Sequence, residues 1–146
     1  MKKLILFAVF ASFATASFAQ NRTTLDYLTT PKWKTNEFAA DGLSSATKVF
    51  SNTATTTTYV YADDGYVKEY VYQFYLSDNV ETTFNVSKVG NVQYGEYIVA
   101  RQNNTNEVSN YLILKLTETE LHLIYFPKPG EKRIGISPTK YYATPK

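Results

Sequence analysis

The sequence predicts an all-β protein, an antiparallel up-and-down meander of eight short strands closing into a barrel. Three observations carry this. Aromatic residues make up 16% of the chain, and 13 of them are Tyr against a single Trp, a bias that fits pleated strands better than helices. Between Tyr66 and Leu76 the side chains alternate, with Tyr66, Lys68, Tyr70, Tyr72 and Phe74 on one face and Val67, Glu69, Val71, Gln73 and Tyr75 on the other. Turn-forming residues recur at short, regular intervals along the rest of the chain.

The elements follow in order. Met1-Lys2-Lys3, the apolar run Leu4–Phe13 and the small residues Ser17 and Ala19 read as a secretory signal peptide, cut after Ala19, with Ala14-Thr15-Ala16 as a second cleavage site. Its apolar run is too short to cross a bilayer core of about 30 Å as a helix. The expected organisation is a signal at residues 1–19, a lead segment at 20–31 and a barrel at 32–146. The lead holds at most one helical turn, Thr24–Leu28, before Pro31.

Lys32–Phe38, with Trp33, is the first expected strand, and Asp41-Gly42 ends it. The Thr-rich tract Thr53–Thr58 reads as a loop running into a strand at Thr55–Ala62. Asp63-Asp64-Gly65 is a hairpin signal, because Asp-Gly tolerates the positive φ of a tight turn. The strand Tyr66–Leu76 returns, its more aromatic face inward. After Ser77-Asp78-Asn79 a strand is expected at Val80–Val86, and after Val89-Gly90-Asn91 another at Gln93–Ala100, with Gly95 marking a bulge or bend. Asn103–Asn106 turns the chain into Val108–Leu116, where Leu112, Leu114 and Leu116 share one face and Tyr111, Ile113 and Lys115 the other. Thr117–Glu120 leads to Leu121–Phe126, with Leu121, Leu123 and Tyr125 inward and His122 outward. Pro127–Gly130 precedes a closing strand at Lys132–Ser137.

Composition excludes several chemistries. There is no Cys, so disulfide scaffolds, thiolate metal sites and cysteine nucleophiles are absent. His122 is the only histidine. Removing the signal takes the basic count from 15 to 13, equal to the 13 acidic residues, so the basic balance of the whole chain belongs to the signal. No basic cluster remains to release counterions from nucleic acid or to hold an anionic membrane surface. Neither a nucleophile elbow, a Gly-rich phosphate loop nor a zincin helix occurs. His122 has outward parity, Asp63-Asp64 is accounted for by its turn, Glu118 and Glu120 sit in a polar turn, and Lys132-Arg133 reads as a solvated edge. No enzyme and no cofactor are expected.

Two groups of residues resemble a known family. One runs through Tyr75-Leu76-Ser77-Asp78, Phe84, Lys88-Val89-Gly90 and Gly95–Val99; the other is Tyr111–Thr117 followed by Leu121-His122-Leu123. Together they resemble the small secreted lipocalin-like proteins of Bacteroidota, in which an early Trp precedes the meander and a later strand pair carries an I-x-x-L-T-x-x-x-L-x-L rhythm. Ile113, Leu116, Thr117, Leu121 and Leu123 fill that rhythm, and Trp33 takes the place of the early Trp. The resemblance, from about Trp33 to Leu123, implies a calycin-type barrel and the binding of a small or hydrophobic ligand.

The tyrosines carry the functional expectation. A Tyr offers an apolar ring and a polar tip, which suits a pocket for an amphipathic molecule. The expected ligand-binding set is Trp33, Tyr66, Tyr70, Tyr72, Phe74, Tyr97 and Tyr125, with Tyr111 on a neighbouring strand. The lead expectation is a periplasmic or secreted protein that holds a small hydrophobic or amphipathic ligand in a cavity on the order of a few hundred Å³. The alternative is a protein-interaction module, an inhibitor or an accessory subunit of an envelope complex, with a filled barrel.

Overall fold

The computed structural model describes residues 22–37, 42–103, 105–133 and 135–146. The expected signal peptide and its expected cleavage site lie outside these residues. Eight antiparallel strands form one closed barrel in sequence order. They are β1 (Lys32–Thr35), β2 (Leu43–Phe50), β3 (Ala54–Tyr61), β4 (Val67–Ser77), β5 (Tyr97–Gln102), β6 (Val108–Leu116), β7 (Glu120–Phe126) and β8 (Thr139–Thr144). Closure comes from β1 pairing with β8, with Lys32 opposite Thr144 and Lys34 opposite Tyr142. No exposed sheet edge is left along that seam.

The all-β meander, the closed barrel and the strand number agree with the sequence reading. However, β5 runs Tyr97–Gln102 rather than Gln93–Ala100, Phe38 at the expected end of the first strand lies outside the described residues, and three further strands differ. Leu43–Phe50 is a strand that the sequence reading passes over, because Ser44, Ser45, Thr47 and Lys48 obscure its apolar alternation. Val80–Val86 is not a strand. It belongs to a long connection that folds back over the outside of β4–β6, where Phe84 packs on Tyr75 with ring centroids 5.0 Å apart. Buried Asn110 holds this connection as a strand partner would: its side-chain amide donates to Glu81 O, and Glu81 N donates to its Oδ1, both at 2.9 Å. The closing strand is Thr139–Thr144 rather than Lys132–Ser137, since Gly130, Gly135 and Pro138 keep the earlier segment irregular.

Asp63-Asp64-Gly65 forms the expected β3–β4 hairpin. Gly65 takes a φ of 68°, and Asp64 Oδ1 accepts from Tyr66 N at 2.8 Å. In β6 the register slips between Ile113 and Lys115. This bulge leaves Leu114 exposed and returns Leu116 to the side of Tyr111 and Ile113 against the core, so the three leucines do not share one face.

Gly95 precedes β5 and crosses the end of β4 closely. A Cβ there would stand 2.6 Å from Ser77 N and 2.9 Å from Ser77 O, atoms that cannot swing aside. Gly95→Ala is therefore expected to destabilise the fold by about 2 kcal/mol through overpacking, read as a lowered urea midpoint at unchanged slope.

The lead segment is part of the barrel. Thr24–Thr29 forms α1, capped by a reciprocal pair in which Asp26 N donates to Thr23 Oγ1 and Thr23 N donates to Asp26 Oδ2. So short a helix is not stable alone, since isolated helices need about 12–15 residues. Leu25 and Leu28 hold it by inserting into the core, each contributing about 2 kcal/mol. They meet Trp33, Phe50, Phe74, Leu76 and Leu121 at one end of the barrel. Trp33 Nε1 donates to Leu28 O at 3.0 Å, which satisfies a carbonyl in the last turn of α1. One end of the barrel is thus filled by side chains and plugged by a helix, and any open volume must lie toward the other.

Candidate functional site

An interior cavity of about 180 Å³ lies above this packed base. Phe50, Ile98, Ala100 and Leu123 supply its apolar lining. The polar lining comes from Lys48, Thr55, Thr57, Ser137, Thr139 and five tyrosines, Tyr59, Tyr72, Tyr111, Tyr125 and Tyr141. The volume follows from the choice of residues. Thr55 and Thr57 on β3 and Ala100 on β5 are small inward side chains, so they do not fill the space between the rings. An eight-stranded barrel has room for its own side chains or for one small ligand.

Lys48 is the one cationic side chain among the described residues that line the cavity. It faces inward because Ala46, Lys48 and Phe50 alternate on the same side of β2, and the first and last of these are fully buried. The Nζ donates to Thr57 Oγ1 at 2.6 Å and stands 6.0 Å from the centroid of the Phe50 ring. It has no carboxylate partner among the described residues. Burial lowers its amine from the ordinary value of 10.5 to about 8. In the same wall, the Oγ1 of buried Thr55 has no hydrogen-bond partner.

The tyrosines are shifted the other way. Burial raises the phenols of Tyr59, Tyr111 and Tyr141 above their ordinary range, with neighbouring tyrosines adding to it. All three stay neutral at physiological pH and can offer hydroxyls to a ligand. Tyr111 and Tyr125 are packed edge to face at 5.8 Å.

The β7–β8 connection is tied to the cavity wall through Glu131. Its carboxylate accepts from Tyr125 Oη at 2.8 and 2.9 Å, from Lys128 N at 3.1 Å and from Arg133 Nε at 2.8 Å. These bonds hold the carboxyl down to about 2. Arg133 also lies over the Tyr125 ring, 4.2 Å from its centroid.

The structure brings together only part of the sequence-derived ligand set. Tyr72 and Tyr125 line the cavity, as does Tyr111. Phe74 lies in the packed base, edge to face with Phe50 at 5.3 Å, and Trp33 is buried there beneath α1. Tyr70 is half-buried and packs on Tyr59 at 5.9 Å. Tyr66 is 57% exposed at the hairpin end of the β3–β4 ladder, where its carbonyl accepts from Tyr61 N at 2.9 Å and its ring lies 5.7 Å from that of Tyr61. Tyr97 faces outward, edge to face with Phe126 at 5.5 Å, because Ile98 and Ala100 take the inward positions of β5. Sequence reasoning missed Lys48, Thr55, Thr57, Tyr59 and Tyr141. The alternation Ala46, Lys48, Phe50 was the available signal for the first.

The other chemistry-bearing residues lie outside the cavity. His122 Nε2 stands 3.0 Å from Glu120 Oε2, while Glu120 also takes Lys115 Nζ at 2.7 Å and Glu118 takes Arg22 Nη1 at 2.9 Å. Among the described residues no group of three or more His, Cys, Asp or Glu is placed to hold a metal ion, and no helix is long and apolar enough to cross a membrane. No family model, curated protein or solved structure matches the chain.

Proposed function

We propose that this protein binds a small amphipathic molecule inside its barrel. The carrying observation is the interior cavity of about 180 Å³, walled by aromatic rings and edged with hydroxyls. Apolar walls with a few convergent polar groups are the usual form of a small-molecule site. The size limits the occupant. An engineered apolar cavity of about 150 Å³ accepts benzene, so this one suits a single ring or a short chain rather than a multi-ring lipid. On the same reading the chain is a lipocalin-like carrier, delivered by its amino-terminal signal to the periplasm or beyond. The interaction-module alternative expects a filled barrel, and the cavity favours the carrier over it.

A ligand that binds only the folded protein raises its stability by about 2.7 kcal/mol at a hundredfold excess over Kd. Thermal unfolding against a panel of single-ring and short-chain amphiphiles is therefore expected to show concentration-dependent increases in Tm for a subset of them. A panel that leaves Tm unchanged throughout contradicts the proposal.

A further inference from the structure

We infer that the polar end of the ligand is a compact anion, a carboxylate in the first instance, seated on Lys48 Nζ within the cavity. The inference rests on the binding reading above and names the class of molecule bound. Its basis is an imbalance in the cavity wall. An ammonium removed from water is costly unless a counter-charge and hydrogen bonds replace its hydration. Lys48 has one neutral hydroxyl partner, Thr57 Oγ1 at 2.6 Å, and no carboxylate among the described residues faces it. An ammonium has three donors, so further donor capacity is left over.

The second observation is independent of charge. Thr55 lies two positions from Thr57 on the inner face of β3, is buried, and its Oγ1 is unpartnered. A carboxylate has two oxygens. One takes Lys48 Nζ, and the other takes the Thr55 hydroxyl once rotation of that side chain turns it from the wall into the cavity, which gives the unpartnered oxygen a partner. The remainder of the ligand then lies against Phe50, Ile98 and the tyrosine rings. With the amine at about 8, Lys48 is mostly protonated at neutral pH and below.

Matched carboxylate and primary-amide pairs separate this inference from the binding reading. The pairs are benzoate and benzamide, phenylacetate and phenylacetamide, and hexanoate and hexanamide, titrated calorimetrically at pH 6.5. At least one carboxylate is expected to bind about tenfold or more tighter than its amide, the size expected of a charge-assisted contact. Lys48→Met is expected to bring that ratio close to one while amide binding persists. Thr55→Val, which leaves the amine in place, is expected to weaken the carboxylate by about threefold to tenfold and keeps the test usable if the Met variant does not fold. Equal binding of acid and amide to the unaltered protein, or selectivity that survives Lys48→Met, overturns the anion inference alone. No binding by any member overturns it together with the carrier reading.

Discussion

Trp33→Ala is expected to cost about 4 kcal/mol, a large share of the total for a domain whose net stability is of order 5–15 kcal/mol. Two losses add. The indole is fully buried among Leu25, Leu28, Phe50 and Leu121, so its removal leaves a cavity in the packed base. The Nε1 donor is lost as well, leaving Leu28 O without its partner at the end of α1. Because α1 is too short to persist unaided, its backbone amides are expected to exchange with solvent much faster in the variant, ahead of the barrel amides. Trp33→Phe keeps most of the apolar volume and removes the donor, so about 1–2 kcal/mol is expected for it. Denaturant titration of both variants, read with hydrogen exchange, checks the result. Uniform loosening across barrel and helix would contradict the view that Trp33 is the fastening between them.

Lys48→Met is expected to act in the opposite direction and stabilise the protein at neutral pH by about 2–3 kcal/mol. The amine is held at about 8 in the folded barrel against 10.5 ordinarily, solely by burial. Below pH 8 folding must bury a charged ammonium, and this penalty is present in full. Between pH 8 and about 10 the unfolded chain keeps a proton that the folded chain has lost, so stability rises with pH. The groups facing Lys48 across the cavity are tyrosines, with no carboxylate among the described residues. The phenols of Tyr59, Tyr111 and Tyr141 are raised by burial, so above about pH 10 the unfolded chain loses protons first and stability falls again. The unaltered protein is thus expected to show a stability maximum on the alkaline side, and the Met variant a flat profile from pH 7 to pH 10. Urea midpoints across that range measure both. A maximum between pH 5 and 8 that Lys48→Met leaves in place contradicts the account. Stability given up at a buried charge is a familiar trade where a site must stay ready for its ligand.

The fold was more legible in the sequence than the site, and for one reason. Strands such as Val67–Ser77 and Glu120–Phe126 announced themselves because one face is the more aromatic or more regularly apolar and turn residues bound each run. The inward set Leu121, Leu123 and Tyr125 followed directly. The strand Leu43–Phe50 was hidden because its inner face carries a lysine between Ala46 and Phe50. The residue that breaks the pattern is the one that gives the cavity its charge. The Thr-rich stretch, read as a loop and then an ordinary strand, supplies Thr55 and Thr57, which line the same space. Outward aromatic residues misled in the other direction. Tyr97 and Phe84 read as inner residues or strand members, yet they build a second apolar layer over the outside of β4–β6 with Tyr75, Val99 and Val108. Alternation identifies two faces but does not say which one a folded-back connection will cover. The expected strand number was reached although Val80–Val86 is a connection and Leu43–Phe50 a strand, since one stood in for the other.

The central claim is that the barrel holds a small molecule. Native mass spectrometry of the protein isolated from the envelope and medium of its source organism tests it most directly. A reproducible added mass of small-molecule size, retained under gentle ionisation and lost on unfolding, is the expected result. A bare mass, or a stable complex with another protein and no small molecule, would contradict it and point to the interaction module instead.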